Sequence, residues 1–422
     1  MLVNRERLIE LLDHENPNVR NESIKALASF FKGSSDVIAS IVKAIDKNKD
    51  DSLSLVTRIK SFVPNDEEIA ELIRLFNETD PDQGDQAMNR FLHIQESLLH
   101  FPIEVVKINE KIIRFNEDLS HSMDIALNRE KAKSQDPDYL WDTLKEICDR
   151  FKDKSLDKEA SQNGWLITQG LLRHRETIKH KIVMYLSQET DVNYHFEEFL
   201  VTLAGDLRIE ECVPFLFKLL KATDFMHQVH DKCIQSLGKI GGKLVVKTIE
   251  DDWHNEKLRS EYSSILRRIP FDYTEELLIR CLDQETDDEI KTFLCGALCD
   301  IFSLKGAEKV LEVIKNEEYD PQISHLWDYV VPVFVYHGKE IDDIEEIQEK
   351  QDEYIKIKRE SDPLYKASEG LRNTFDKIQK QHERDKAKKK KLQRKQRKKN
   401  VVKMKLKKRK RSRIFDYDTS GS

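Results

Sequence analysis

Residues 209–242, IEECVPFLFKLLKATDFMHQVHDKCIQSLGKIGG, contain two short apolar runs at helical spacing. In the first run the apolar residues recur every three or four positions: Ile209, Cys212, Val213, Leu216, Leu219 and Leu220. After Ala222–Thr223–Asp224 the same spacing returns in Met226, Val229, Cys233, Ile234, Leu237 and Ile240. Gly241 and Gly242 then favour the end of a helix. The stretch predicts two helices joined by a tight turn.

Similar helix pairs are predicted along the chain. Two short helices cannot bury their apolar sides alone, so a pair is stable only when other pairs stack against it. First helices are predicted to start near Arg5, Asp36, Asp66, Pro102, Asp136, Glu176, Ile209, Gly241, Tyr273 and Leu304. These starts are 30 to 40 residues apart, a spacing typical of a helical array. The pairs at 102–135 and 136–175 depend on spacing alone.

The first predicted pair has the most complete turn. Residues 5–30, RERLIELLDHENPNVRNESIKALASF, combine a leucine-bearing helix, Asp13 and Pro17 in the turn, and Val19–Arg20 at the start of the second helix. This pattern resembles a HEAT repeat. The resemblance implies an all-α solenoid of about ten HEAT-like helix pairs. It also implies that second helices line a concave face and that Asp and Arg form a ladder between neighbouring pairs.

The sequence predicts three regions. Residues 1–338 form the HEAT-like α-solenoid, with the first pair as a cap. Its last aromatic and β-branched cluster, between Trp327 and Tyr336, is either a protein-binding groove or, as we favour, a terminal helix packed on the last pair. Residues 339–385 are a charged helical extension, and residues 386–422 are a basic tail expected to be disordered.

No feature of the sequence predicts secretion or membrane insertion. Arg5, Glu6 and Arg7 interrupt the place where a signal core would lie, and the longest apolar run is Val330–Tyr336. We expect a soluble cytoplasmic protein, with the nucleus as an alternative in a eukaryote.

Two clusters within the solenoid have alternative interpretations. Cys281, Cys295 and Cys299 could hold a metal, but they lack the spacing of zinc sites, so core packing is favoured and no metal or cofactor is predicted. The basic stretch 171–181 is either an anion-binding patch or, as we favour, a solvated turn between helices.

The charge of the chain is divided very unevenly. Residues 386–413 contain 18 of the 71 basic residues and no acid, and two of the 78 acidic residues follow them. Residues 1–385 therefore have 53 basic and 76 acidic residues, a net charge of −23. Because so dense a block of like charge gains free energy by releasing counterions from a polyanion, we predict that the tail binds one.

The predicted polyanion-binding residues are lysines and arginines of the tail: Lys388, Lys389, Lys390, Lys391, Arg394, Lys395, Arg397, Lys398, Lys399, Lys407, Lys408, Arg409, Lys410 and Arg411. No aromatic residue lies among them to stack on bases, so contacts to a nucleic-acid backbone are expected. Nuclear import, anionic lipid and the acidic body of the protein itself remain alternative uses.

No catalytic motif is present in the sequence. The stretch 237–245, LGKIGGKLV, lacks the first glycine and the final Ser or Thr of a phosphate-binding loop. We predict a non-enzymatic scaffold whose solenoid docks a protein partner and whose tail binds nucleic acid or another polyanion. The alternative is a HEAT-like nucleic-acid enzyme such as an alkylbase DNA glycosylase, a class that resembles this chain in its repeats and places a catalytic acid beside aromatic residues.

Overall fold

A computed structural model describes residues 2–48, 52–152, 154–188, 193–223, 228–342 and 344–361. Over these residues the secondary structure is α-helix with short 3-10 turns and contains no strand, which confirms the all-α prediction. The second half of the predicted extension and the whole basic tail lie outside the described residues.

The helices are grouped below by the predicted pairs, in which a first helix alternates with a second helix. The first helices of the pairs are α1 (Arg5–Glu10), α3 (Ile38–Lys47), α5 (Asp66–Glu78), α7 (Ile103–Ile108) with α8 (Glu110–Arg114), α10 (Pro137–Arg150), α12 (Arg175–Ser187), α14 (Val213–Ala222), α16 (Gly242–Asp252), α18 (Asp272–Gln284) and α20 (Leu304–Lys315). The second helices are α2 (Pro17–Phe30), α4 (Leu53–Arg58), α6 (Asp85–Leu98), α9 (Glu117–Lys133), α11 (Lys158–Leu171), α13 (Tyr194–Asp206), α15 (Gln228–Ile240), α17 (Arg259–Leu266), α19 (Asp288–Asp300) and α21 (Leu326–Tyr336). A last helix, α22, spans Ile344–Ser361.

The stretch 209–242 forms the predicted pair with small shifts. A 3-10 turn covers Glu210–Cys212, and α14 begins at Val213 because Pro214 suits the first turn of a helix. Phe217 is buried in place of the predicted Leu219, which is half-buried. Helix α15 ends at Ile240, and Gly241 and Gly242 both have positive φ, as a glycine helix end requires.

The turn of the first pair differs from the implied ladder. Asp13 accepts from the Lys43 and Lys47 ammonium groups of the next pair, at 3.2 and 2.8 Å. Arg20 is buried and donates to the carbonyl oxygens of His14 and Glu15 within its own turn, at 2.8 Å each. Asp13 therefore binds lysines of the next pair and not an arginine. Arg20 is instead engaged with the carbonyl groups of the turn that precedes its own helix.

Within residues 1–351 the second helices form a closed series. Each packs against the next from α2 to α21, and α21 packs in turn against α2. The first pair is therefore not a cap with one free side, as the sequence predicted. It is a neighbour of the last pair.

Polar contacts join the first helix pair to α21. We call this contact between the first and last pairs the seam. The backbone N–H of Asn4 donates to the Tyr336 hydroxyl at 2.6 Å, and the Arg7 guanidinium donates to the carbonyl oxygens of Val335 and Tyr336 at 3.2 Å each. The Asn18 side chain on α2 donates to Asp328 on α21 at 2.8 Å. Because a buried polar group without a partner is costly, these pairings specify how the ends meet.

The apolar segment Val330–Tyr336 is explained by this closure. Helix α21 packs against α19 and α20 on one side and against α2 on the other. Val330, Val333 and Tyr336 are buried, and the Tyr336 ring meets Phe302 edge to face with 4.8 Å between centroids. A helix with neighbours on both sides needs apolar residues around most of its circumference. The favoured terminal helix is therefore present, but it packs on the first pair as well as on the last.

The chain divides into two units after Gln351. Within the first unit, the Gln351 side chain accepts from the Tyr319 hydroxyl and donates to the Ile314 carbonyl oxygen at 3.0 Å. The second unit is described only over residues 352–361, the end of α22. None of the helices in the described part of the chain has the length and apolar character of a membrane span.

Candidate functional site

The predicted polyanion-binding residues, from Lys388 to Arg411, all lie outside the described residues. Their role in binding a polyanion therefore stays a prediction. Within the first unit, two other surfaces combine exposure with unusual chemistry.

The first surface surrounds a carboxylate shared by three helices. Asp300, the last residue of α19, is almost fully buried. Its oxygens bind the Lys25 ammonium of α2 at 2.6 Å and the Arg267 guanidinium that follows α17. The closed series brings α2, α17 and α19 close enough for the Asp300 carboxylate to bind both cations.

Neighbouring charges shift the pKa values around Asp300. Burial raises the pKa of the Glu22 carboxyl, which lies 3.0 Å from Lys25. Burial alone would lower the pKa of Lys25, but the charges of Asp300 and Glu22 outweigh it and raise that pKa. The ammonium therefore stays charged beside its two carboxylates.

Two further arginines near Asp300 make no direct ion pair within the described residues. Arg58 ends α4 and Arg268 follows α17, and both side chains are exposed. Although Arg268 has exposed surface, partial burial of its guanidinium and the charge of Arg267 lower its pKa, and the charge of Asp300 opposes this shift. Among the described residues, neither Arg58 nor Arg268 makes a side-chain hydrogen bond or ion pair. We name Lys25, Arg58, Arg267 and Arg268 the central cation cluster.

The central cation cluster was missed by sequence reasoning. Arg267–Arg268 and Arg58 each lie at the carboxyl end of a second helix, where basic residues commonly offset the helix dipole. Because that explanation is sufficient, nothing in a single sequence marks these arginines as members of a cluster. Only the closure of the series brings Lys25 of α2 to the carboxylate that also binds Arg267.

Another group of charged and aromatic side chains lies at the ends of α4 and α6 and on α11. Lys60 binds Glu96 at 2.7 Å, and the His100 ring meets Trp165 edge to face with 5.8 Å between centroids. Burial and the nearby positive charge of Lys60 lower the pKa of His100 to about 4. The imidazole is therefore neutral at pH 7, and the cations of this group are largely paired.

The second surface is apolar and lies on the first helices of the fourth pair. Ile108, Ile112 and Phe115 are 70%, 50% and 94% exposed. Ile112 and Phe115 line a shallow pocket with Asn77, Lys111 and Asn116. A phenylalanine that is almost wholly exposed buries little apolar area within the described residues, so this surface is a candidate contact site. We name these three residues the Phe115 patch.

The basic stretch 171–181 is largely neutralised. Arg173 binds Glu130 at 3.0 Å, Lys179 binds Glu211 at 2.6 Å, and Lys181 binds Asp138 at 2.5 Å. These partners belong to the helix pairs on either side. The contacts favour the solvated turn over the anion-binding patch.

The cysteines belong to the core. All six are buried, and burial raises the pKa of the Cys148, Cys212 and Cys281 thiols to about 12. Over the residues with described positions, no group of three His, Cys, Asp or Glu side chains could hold a metal ion. The packing interpretation of Cys281, Cys295 and Cys299 is therefore favoured.

Sequence comparison adds no relative to this description. No protein-family model matches the chain, and no curated protein is significantly similar to it.

Proposed function

We propose that the protein is a non-enzymatic scaffold built from about ten HEAT-like helix pairs. Its helical array docks a protein partner, and its basic tail holds nucleic acid or another polyanion. The observation that carries this proposal is the separation of charge, with a net charge of −23 in residues 1–385 and 18 positive charges without any acid in residues 386–413. A body of this charge repels a polyanion, so the tail is the part suited to bind one.

The Phe115 patch supports the docking of a protein partner. Soluble proteins seldom leave a phenylalanine 94% exposed next to two exposed isoleucines. Aromatic residues with apolar neighbours are typical of the energetic centre of protein interfaces. The partner expected here presents an apolar side chain to the pocket beside Ile112.

A copurification experiment tests the two halves of the proposal separately. The full chain is compared with a full-length variant in which the fourteen predicted tail residues, from Lys388 to Arg411, are changed to Gln. We expect nucleic acid to follow only the unchanged chain and to leave at high salt. Nucleic acid retained by the neutralised variant would contradict the role of the tail.

The protein partner is tested with Ile112→Ser/Phe115→Ser. We expect this variant to fold and to lose bound proteins while keeping nucleic acid. Leu244→Ser is the matched control, because Leu244 is also exposed, at 46%, but lies on α16. Equal loss from both variants would contradict docking on the Phe115 patch.

The glycosylase alternative has one structural observation in its favour. Burial raises the pKa of the Glu197 carboxyl on α13 to about 7. The adjacent Phe196 ring meets Trp141 and Tyr185 edge to face, with 5.3 and 5.0 Å between centroids. If the protein releases base from alkylated DNA and Glu197→Gln abolishes that release, this alternative replaces the scaffold.

A further inference from the structure

Two lysines lie beside the Phe115 patch on the same helical segment. Asn109 separates α7 from α8, and its carbonyl oxygen accepts from the Ile113 N–H at 3.1 Å, as in a continuous helix. The members of the Phe115 patch are therefore spaced as on one helix face. Lys107 and Lys111, four residues apart, follow the same spacing next to them. The patch therefore has an apolar part and a basic edge.

The polar groups that line the pocket of the Phe115 patch offer mainly hydrogen-bond donors. They are the Lys111 ammonium and the side-chain amides of Asn77 and Asn116. The Asn116 carboxamide oxygen accepts from the N–H groups of Asp118 and Leu119 at 3.0 and 3.4 Å, so its NH2 group is left for a ligand. As far as the described residues extend, no carboxylate lines this pocket. A negatively charged acceptor such as a carboxylate suits these donors.

The two lysines are exposed and make no ion pair within the described residues. The third cation of the segment, Arg114, binds Glu110 at 2.6 Å and Asp124 at 3.1 Å. These two acids are therefore already engaged. Lys107 and Lys111 remain accessible to a carboxylate from outside the unit.

The other acids of the segment lie at helix starts. Glu104 is in the first turn of α7, and Glu117 and Asp118 are in the first turn of α9. Negative side chains at this position offset the helix dipole. Residues 104–118 thus hold four acidic and three basic residues. An anionic bilayer would meet all of these charges, whereas a peptide meets only the pocket and its basic edge.

We infer that the Phe115 patch binds a protein segment in which an apolar side chain lies next to a carboxylate. The apolar side chain packs on Ile112 and Phe115, and the carboxylate binds the Lys111 ammonium with Lys107 beside it. This inference rests on the proposed docking of a protein partner at the patch and adds the chemistry of that partner. A basic segment would be repelled by the same two lysines.

Selection from a library of short random peptides tests the inference. The target is the full chain in which the fourteen predicted tail residues, from Lys388 to Arg411, are changed to Gln, because the unchanged tail would itself attract acidic peptides. Peptides that also bind this chain with Ile112→Ser/Phe115→Ser are removed. We expect the remaining peptides to combine an aromatic or branched aliphatic side chain with a neighbouring Asp or Glu.

An enriched peptide is then synthesised with its acids unchanged or replaced by Asn and Gln. We expect the replacement to weaken binding by about threefold to tenfold, as for one or two exposed ion pairs. Lys107→Gln/Lys111→Gln should weaken binding of the unchanged peptide by a similar factor. It should not weaken binding of the neutral peptide further, because the interaction is then already lost.

The matched control is Lys247→Gln. Lys247 is also exposed, makes no ion pair within the described residues, and lies on α16 three residues after the exposed Leu244. This variant should bind the peptide as tightly as the chain with Lys247. Both lysine variants should keep the Tm of that chain, because the changed side chains are exposed.

The outcomes separate this inference from the docking proposal on which it rests. Peptides that need Phe115 but carry no acid, or that bind equally without the two lysines, would overturn the inference and leave docking in place. A selection without any Phe115-dependent peptide would overturn both. Binding to vesicles of phosphatidylcholine and phosphatidylserine that is lost in Ile112→Ser/Phe115→Ser would assign the patch to a membrane surface instead.

Discussion

The ammonium group of Lys25 lies 2.6 Å from a carboxylate oxygen of Asp300, although 275 residues separate them in the sequence. The same carboxylate binds Arg267, so one buried acid balances cations from two other helices. Asp300→Asn should lower the free energy of unfolding by about 3 kcal/mol, because both cations lose their shared counter-ion. Urea unfolding measures this loss.

Asp206→Asn is the control for that prediction. Asp206 binds Lys239 at 2.8 Å, but this pair joins adjacent second helices at a more exposed position. Its loss should cost less than about 1 kcal/mol. Equal effects of the two substitutions would show that Asp300 is an ordinary surface acid.

Tyr336→Phe tests the polar contacts of the seam. The substitution removes the hydroxyl that accepts from the Asn4 N–H and keeps the ring on Phe302. We expect a loss of about 1 kcal/mol and faster hydrogen exchange in α1. Tyr139→Phe, at a position 58% exposed, should change neither quantity. Unchanged exchange in α1 of the Tyr336 variant would contradict a seam held by this bond.

Gly205→Ala should destabilise the contact between α13 and α15. A Cβ at position 205 would lie 2.7 Å from the Cα of Ser236, whose hydroxyl donates to the Val201 carbonyl at 2.8 Å. Because backbone must move to admit the methyl group, we expect a loss of about 2 kcal/mol in urea unfolding.

Gly296→Ala is the matched helical control. No atom lies within 4 Å of a Cβ built at position 296 on α19. Alanine has the higher helix propensity, so this substitution should stabilise by roughly 0.5 kcal/mol. Destabilisation of similar size at both positions would indicate that close approach at Gly205 is not the cause.

Glu197→Gln should change how stability depends on pH. Burial raises the pKa of Glu197 from 4.5 to about 7 in the folded protein. Between these values the unfolded chain has lost the proton that the folded chain keeps. The contribution of Glu197 to the free energy of unfolding is therefore fully present below pH 4.5 and is lost as the pH rises through 7.

Glu197→Gln should raise the free energy of unfolding by up to about 3 kcal/mol at pH 8, and this gain should vanish near pH 4. Urea unfolding at both pH values measures it. Glu198→Gln is the control, since Glu198 is more exposed and lies 3.8 Å from Lys232. A gain that does not depend on pH would exclude titration of Glu197 as its cause.

Much of the local structure could be predicted from apolar spacing and helix-end residues. Helices begin within a few residues of the predicted starts, and α15 ends before Gly241, where the sequence places a helix end. These features depend on residues close together in the chain, which a single sequence displays directly.

The closure and the central cation cluster could not be predicted in this way. Both depend on pairs such as Asn18 with Asp328 and Lys25 with Asp300, which lie 310 and 275 residues apart. Apolar periodicity specifies only that each pair has neighbours on both sides. The small rotation between successive pairs decides whether α21 reaches α2, and no short motif encodes that rotation.

The packing of α21 on α2 also restricts how the length of this protein can vary. An open array can gain or lose a helix pair at either end with only local effects. Here the insertion or deletion of a pair would separate Asn18 from Asp328 unless every remaining rotation changed as well. Natural or engineered variants are therefore expected to differ in length within the turns between helices and to keep the number of helix pairs constant.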